Sequence, residues 1–355
     1  MKAAALLLLA GALAGAAGPR SPSPIVHPTS SIVLKGGYSR LVADGRRAAA
    51  VAGCGIVLWK AGARKGTFIQ PCRPARGVDF SGTDEVALAG SRLAWMREEW
   101  VSHGQRVQTE LVVKTGSGKA REIANAYNDN EEGSWLLTLA GAGDTLAFGW
   151  TFDSFDDPAN PVHEERAYRV STAESSECPH EPGLLPNPPA ARLCVDTGAE
   201  THLVRSVSAG RILVSFSGFY RVGIVERDNS EHDLPIPASQ KHLELGLSGT
   251  DVVVLRAGGR TLDVYDAQSG AVRHRWPIAP VGTVRRLTVA GGLAVFAANG
   301  TRLVSLSNGS ERTVLAPSGK PPIAATVTSA GLFLLYRMNG HERLGFVPLR
   351  QLRAA

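Results

Sequence analysis

Leu245-Gly-Leu-Ser-Gly249 runs into Val252-Val-Val-Leu255, then a Gly258-Gly259 turn, then Thr261-Leu-Asp-Val-Tyr265. An Asp266-Ala-Gln-Ser-Gly270 turn follows and leads into Ala271-Val-Arg-His-Arg-Trp276. Four short apolar or β-prone runs separated by Gly-rich turns describe four antiparallel strands. The opening of this unit recurs along the chain. It reads Leu41-Val-Ala-Asp-Gly45 before Ala48-Ala-Ala-Val51, and Val86-Ala-Leu-Ala-Gly90 before Leu93-Ala-Trp95. It returns as Leu137-Thr-Leu-Ala-Gly141 before Leu146-Ala-Phe148 and as Val207-Ser-Ala-Gly210 before Ile212-Leu-Val214. The last copies are Leu287-Thr-Val-Ala-Gly291 before Leu293-Ala-Val-Phe296, and Val327-Thr-Ser-Ala-Gly331 before Leu332-Phe-Leu-Leu335.

The glycines at 45, 90, 141, 210, 249, 291 and 331 are spaced by 45, 51, 69, 39, 42 and 40 residues. A four-stranded propeller blade takes about 40 to 50 residues. A tight turn between the first two strands favours Gly because φ can be positive there. Strands covered on both faces by neighbouring sheets read as apolar runs without clean alternation. The expected fold is all-β: a seven-bladed β-propeller of four-stranded antiparallel blades over 31–350. Ser31-Ile-Val-Leu-Lys35 precedes the first copy, and the last copy has too little chain for a fourth strand. The N-terminal strand is therefore expected to close the last blade and remove its open edge.

The Asp266–Gly270 turn and its echo at Asn308-Gly309 resemble the blade repeats of quinoprotein-like and WD40-like propellers of secreted bacterial proteins. That resemblance covers most of the chain and implies architecture, not activity. No blade carries the paired Gly-His and Trp-Asp signatures of the WD type, and the adjacent cysteines that quinone-dependent members carry beneath their cofactor are missing.

Residues 1–18 have a basic start at Lys2 and an Ala/Leu/Gly run with small residues for cleavage, which reads as a signal peptide. That run is shorter than the ~20 apolar residues of a membrane span. Residues 19–30 read as a flexible mature N-terminus, and the expected location is secreted, extracytoplasmic, without stable membrane insertion. The four cysteines suit an oxidising compartment and are expected to pair locally, Cys54 with Cys72 and Cys178 with Cys194. Zinc spacing of the CxxC kind is missing. The formal charge is +6, but the arginines are scattered among acids and form no stripe, which argues against nucleic acid.

The 69-residue gap holds an insertion of the third blade at about 151–194. Long loops in a compact fold are commonly functional. Trp100, Trp150, Asp153, Asp156 and Asp157 are candidates for an aromatic and acidic ligand platform. For these tryptophans, packing between blades is the competing reading. Asp129, Glu131 and Glu132 are candidate oxygen ligands for Ca²⁺, the one cofactor considered, although a solvated acidic rim fits them as well. Catalytic signatures are poor. There is no Gly-x-Ser-x-Gly elbow and no His-Glu-x-x-His, and Gly116-Ser-Gly-Lys119 lacks the rest of a phosphate loop. Asn299-Gly-Thr301 and Asn308-Gly-Ser310 match glycosylation sequons but read as hairpin turns. The expected function is that of a non-enzymatic, monomeric binding or scaffold propeller for an extracellular protein or glycan. The alternative is a secreted hydrolase or lyase acting on a polysaccharide or small molecule.

Overall fold

The computed structural model describes residues 25–72, 78–101, 106–129, 132–154, 162–172, 193–200, 203–216, 221–236, 243–256, 258–282 and 284–354. Strand β1 (Ser30–Leu34) precedes a sheet of β2 (Arg40–Asp44), β3 (Arg47–Ala52), β4 (Gly55–Lys60) and β5 (Thr67–Ile69). Next come β6 (Val78–Ala89), β7 (Arg92–Val101), β8 (Arg106–Thr115) and β9 (Ala120–Asp129). These continue into β10 (Glu132–Ala142), β11 (Thr145–Ser154), β12 (Val162–Val170) and β13 (Cys194–Asp196). Four-stranded sheets then follow in sequence. The first contains β14 (Leu203–Ser208), β15 (Arg211–Ser215), β16 (Val222–Val225) and β17 (Glu231–Leu234). The second contains β18 (Leu243–Ser248), β19 (Asp251–Arg256), β20 (Thr261–Asp266) and β21 (Val272–Pro277). The third contains β22 (Arg285–Ala290), β23 (Leu293–Ala297), β24 (Thr301–Ser305) and β25 (Glu311–Val314). The chain ends with β26 (Ala324–Val327), β27 (Gly331–Met338), β28 (His341–Pro348) and a helix, α1 (Leu349–Ala354).

The all-β propeller stands, but the expectation of seven separate blades is corrected. Among the described residues there are five four-stranded blades, not seven. The other strands, β6 to β13, form one continuous eight-stranded sheet. The fusion occurs where Glu132 pairs with Asp129 and Gly133 with Asn128 across the turn between β9 and β10. Gly133 makes it possible. Its φ is +113°, and a Cβ there would lie 2.3 Å from the Tyr127 carbonyl oxygen and 2.9 Å from Asn128 Cα.

Strand β1 pairs with β28 over Ser30↔Phe346 to Leu34↔Glu342 and forms the outer edge of the last blade. Each sheet is too thin to hide its own apolar faces, so the core is a series of layers between neighbouring sheets. Ala48, Ala50 and Trp59 of the first blade meet Phe333, Leu335 and Phe346 of the last, which closes the ring. Small residues on one side admit the aromatic rings of the other; Trp59 meets Phe333 edge-on at 6.1 Å. The eight-stranded sheet bends on itself, so that Met96, Leu111 and Ile123 cover Leu136, Phe148 and Tyr168.

Turns from first to second and third to fourth strands lie on one face, called lower below; turns from second to third strands lie on the upper face. Residues 116–119, the incomplete phosphate loop, form a plain lower turn. The eight-stranded sheet rises above its neighbours. Strand β7 runs ten residues from its lower turn, whereas β19 runs six. At roughly 3.3 Å per residue, this lifts the upper rim by about 13 Å.

Cys54 and Cys72 are bonded, with Cα atoms 5.2 Å apart. The bond ties the turn before β4 to the segment after β5, consistent with an oxidising compartment. Cys194 is also disulfide-bonded; Cys178 lies outside the described residues, as do 1–24. No helix among the described residues is long and apolar enough to cross a membrane.

Because Gly133 combines a left-handed backbone with a backbone contact that excludes a Cβ, Gly133→Ala is expected to cost about 2 kcal/mol in urea unfolding. Gly37→Ala, where a Cβ meets nothing within 4 Å, should stay within about 0.5 kcal/mol of wild type.

Candidate functional site

The inner strands β2, β6, β10, β14, β18, β22 and β26 surround a central channel whose lower end is a cavity of about 420 Å³. An innermost strand has no partner on its channel side, so its outward N–H and C=O groups are open. The inner-strand hydroxyls answer part of this need. Thr138 Oγ1 accepts from Val204 N at 2.9 Å, and Ser206 Oγ from Leu247 N at 3.2 Å. Ser208 Oγ accepts from Gly249 N at 2.9 Å, and Thr288 Oγ1 from Val327 N at 3.2 Å. Thr328 Oγ1 donates to Gly45 O at 2.7 Å, joining the last inner strand to the first turn. Asp44, in the position that Ser208 and Thr328 hold in their own strands, uses one oxygen twice. Its Oδ2 accepts from Gly90 N at 2.6 Å and from Gly143 N at 3.0 Å.

Among the described residues lining this cavity, Asp44 and Arg205 are the charged side chains, and there is no histidine. Arg205 donates from Nε to Ser215 Oγ at 2.7 Å. Burial holds its guanidinium below the ordinary arginine range, partly offset by Glu244 on the neighbouring inner strand. Burial in turn pushes the Glu244 carboxyl up, opposed by a backbone hydrogen bond from Leu287 and by Arg205. The charged groups of the channel are thus engaged in holding strands together.

The upper rim of the eight-stranded sheet is built differently. Trp100, near the end of β7, is 37% exposed and donates from Nε1 to Glu98 Oε1 at 2.5 Å. Arg97 lies below it, paired with Glu99 at 3.1 Å and hydrogen-bonded to Glu110. Asp153 and His163 face each other in register on β11 and β12. His163 Nδ1 lies 2.6 Å from Asp153 Oδ1, and its Nε2 lies 3.0 Å from Glu165 Oε1. Only imidazolium can donate from both nitrogens at once, so two flanking carboxylates favour the charged ring. The hydrogen bond that His163 donates to Asp153 is the largest influence raising the His163 pKa, with burial opposing and Glu165 assisting.

Trp150 is the other tryptophan expected on the ligand platform. The structure buries it at 3% exposure, stacked on Phe152 at 6.2 Å and edge-on to Tyr168, which is the core-packing alternative. Asp153 and Trp100 do lie on the rim; Asp156 and Asp157 fall outside the described residues. Asp129 and Glu132 are register partners on β9 and β10, and Glu131 lies outside the described residues. No group of three His, Cys, Asp or Glu side chains suited to a metal ion occurs among the described residues. Sequence reasoning missed His163 altogether. Its alternation with Glu165, opposite Asp153 across a hairpin, was the available signal.

No family model matches the chain, and no curated protein matches its sequence. Among solved structures, it resembles a chain of the mitotic checkpoint complex with TM-score 0.50 and 9% identity, covering 98% of this chain and 99% of that one. It also resembles streptogramin B lyase with TM-score 0.51 and 10% identity, covering 90% and 97%. At these identities the likeness concerns the propeller fold alone.

Two outcomes follow from this geometry. The His163 titration midpoint, followed by ring-proton NMR, is expected above the ordinary histidine value and should fall towards it in Asp153→Asn. Because the folded pKa is raised, the rim contacts of His163 are present at acid pH and are lost as pH rises through the folded midpoint. Asp44→Ala leaves two turn N–H groups without their acceptor and should cost about 1–2 kcal/mol in urea unfolding, with Asp44→Asn intermediate.

Proposed function

We propose that this protein is a secreted, non-enzymatic propeller that binds a basic segment of an extracellular protein on the raised upper rim. The observation that carries this reading is the exposed Trp100 ring held by Glu98 on a protruding edge; Asp153, His163 and Glu165 lie at the upper ends of β11 and β12, on the face turned towards the following blade. An indole face attracts a Lys or Arg side chain by about 0.5–2 kcal/mol, and nearby carboxylates steer cations towards it. Amphipathic aromatic anchors of this kind dominate binding energy at protein interfaces.

The channel supports the same conclusion from the other side. A hydrolase or lyase needs an acid and a base free to move protons to and from a substrate. Here the carboxylate at the lower mouth already accepts two backbone N–H groups, and the guanidinium deeper in the channel is bonded to a serine. No histidine lines the cavity among the described residues.

The reading is tested by surface plasmon resonance against Lys/Arg-rich, neutral and acidic peptides, with a glycan array alongside. Basic peptides should be retained in a salt-sensitive manner, and Trp100→Ala should weaken them about tenfold, the equivalent of roughly 1.4 kcal/mol. Equal retention of acidic peptides, unchanged affinity in Trp100→Ala, or retention of glycans alone would remove this assignment.

A further inference from the structure

A second cavity, of about 430 Å³, opens on the lower face, between the turns of the β22–β25 blade and helix α1. Leu293, Leu303 and Leu352 form its apolar floor. Ser305, Ser307, Ser310, Arg312 and Arg353 supply polar walls, and no carboxylate lines it among the described residues. Strand alternation explains that composition. Leu303 and Arg312 are register partners and share a face, whereas the adjacent Glu311 is turned to the opposite face. There it accepts from Arg302 Nη1 and from Ala279 N, each at 2.7 Å. The acid that would neutralise Arg312 is thus committed elsewhere.

The two guanidiniums are left with unused donors. Arg353 spends Nη2 on Gly291 O at 2.7 Å, which anchors α1 over the Gly291-Gly292 turn. Arg312 is half-buried and makes no side-chain hydrogen bond or ion pair among the described residues. Ser305 and Ser307 lie hydroxyl to hydroxyl at 3.0 Å, so one proton of the pair remains free to donate outward. Holding a cation against leucines without a counter-ion is unfavourable, and planar guanidiniums match tetrahedral oxyanions in a bidentate manner.

We propose that this pocket binds an organic phosphate or sulfate monoester. Its oxyanion would sit on Arg312 and Arg353 with serine hydroxyls assisting, and its body on the leucine floor. The site is on the face opposite the rim and is independent of it.

The experiment is isothermal titration of the full chain with phenyl phosphate, phenyl sulfate, inorganic phosphate and phenol. Both phenyl esters should bind, inorganic phosphate should bind about tenfold more weakly for lack of a body on the leucines, and phenol should not bind. A phosphate monoester loses its second charge below about pH 6. Phenyl phosphate should therefore exceed phenyl sulfate at pH 7.5 and approach it at pH 5, which separates the two sources of the anion. Arg312→Gln should weaken phenyl phosphate at least tenfold with little change in the thermal midpoint, because the Arg312 guanidinium holds no hydrogen bond or ion pair among the described residues. Arg353→Gln is the second variant and should weaken the ester as well as loosen α1. Binding in Arg312→Gln within twofold of wild type, binding of phenol as tight as that of phenyl phosphate, or no heat with either ester would overturn the assignment.

Discussion

The open edge of each innermost strand is the constraint around which this molecule is organised. Sheets arranged radially bury their faces against one another, but their inner edges converge on an axis where no further strand can be added. N–H groups there must find other acceptors. The hydroxyls of Thr138, Ser206, Ser208 and Thr288 and the carboxylate of Asp44 reach sideways to the backbone of a following inner strand or turn. Thr328 makes the corresponding link back to Gly45. A short side chain suffices because the edges approach closely near the axis. At Gly141 a Cβ would lie 2.7 Å from the Leu88 carbonyl oxygen of the neighbouring inner strand. The apolar layers supply most of the burial, while these bonds fix how far each sheet is rotated about the axis.

The same constraint determines which side chains stay exposed. Near the lower end of the channel the polar groups are spent on joining strands, so the cavity offers chiefly backbone edges, small side chains and two engaged charges. The upper ends of β7, β8, β11 and β12 extend past the height of the four-stranded blades, so only the two halves of the folded eight-stranded sheet can cover one another there. Trp100 is exposed because it lies beyond that height, whereas Trp95, five residues nearer the lower turn on the same strand, is buried at 3%. Height and face together, and not residue type, separate the two: Trp95 packs against the first blade, and Trp100 shares the opposite face with Met96.

Much of the architecture was legible in the sequence because a repeated apolar pattern with turns is a local signal. The closing β1–β28 pair and the Cys54–Cys72 bond followed from position and spacing. The third and last copies were read with the wrong turn. The third turn uses Gly143, at φ +60°, where Gly141 had been expected; Gly141 is required for close approach instead. In the last blade, Gly331 begins β27 and the bend is at Ser329-Ala330. A glycine marks either a positive φ or a missing Cβ, and one sequence does not say which. The fusion of β6–β13 was equally hidden, since it depends on one backbone contact at Gly133 between strands that a repeat pattern treats as separate units.

Side-chain destinations were the least legible part, because alternation gives a face but not its height. Trp150 and Asp153 lie three residues apart on β11, yet the first stacks on Phe152 in the core and the second meets His163 on the rim. Glu311 and Arg312 are neighbours in the chain, yet one is bound by Arg302 and the other faces a cavity without an acid. In both cases the chemistry of a site is decided by which groups are already committed on the other face of the sheet. A cluster of acids or aromatics in sequence therefore says little until those commitments are known. What is left uncommitted is the face of an indole on a raised edge and a guanidinium over leucines.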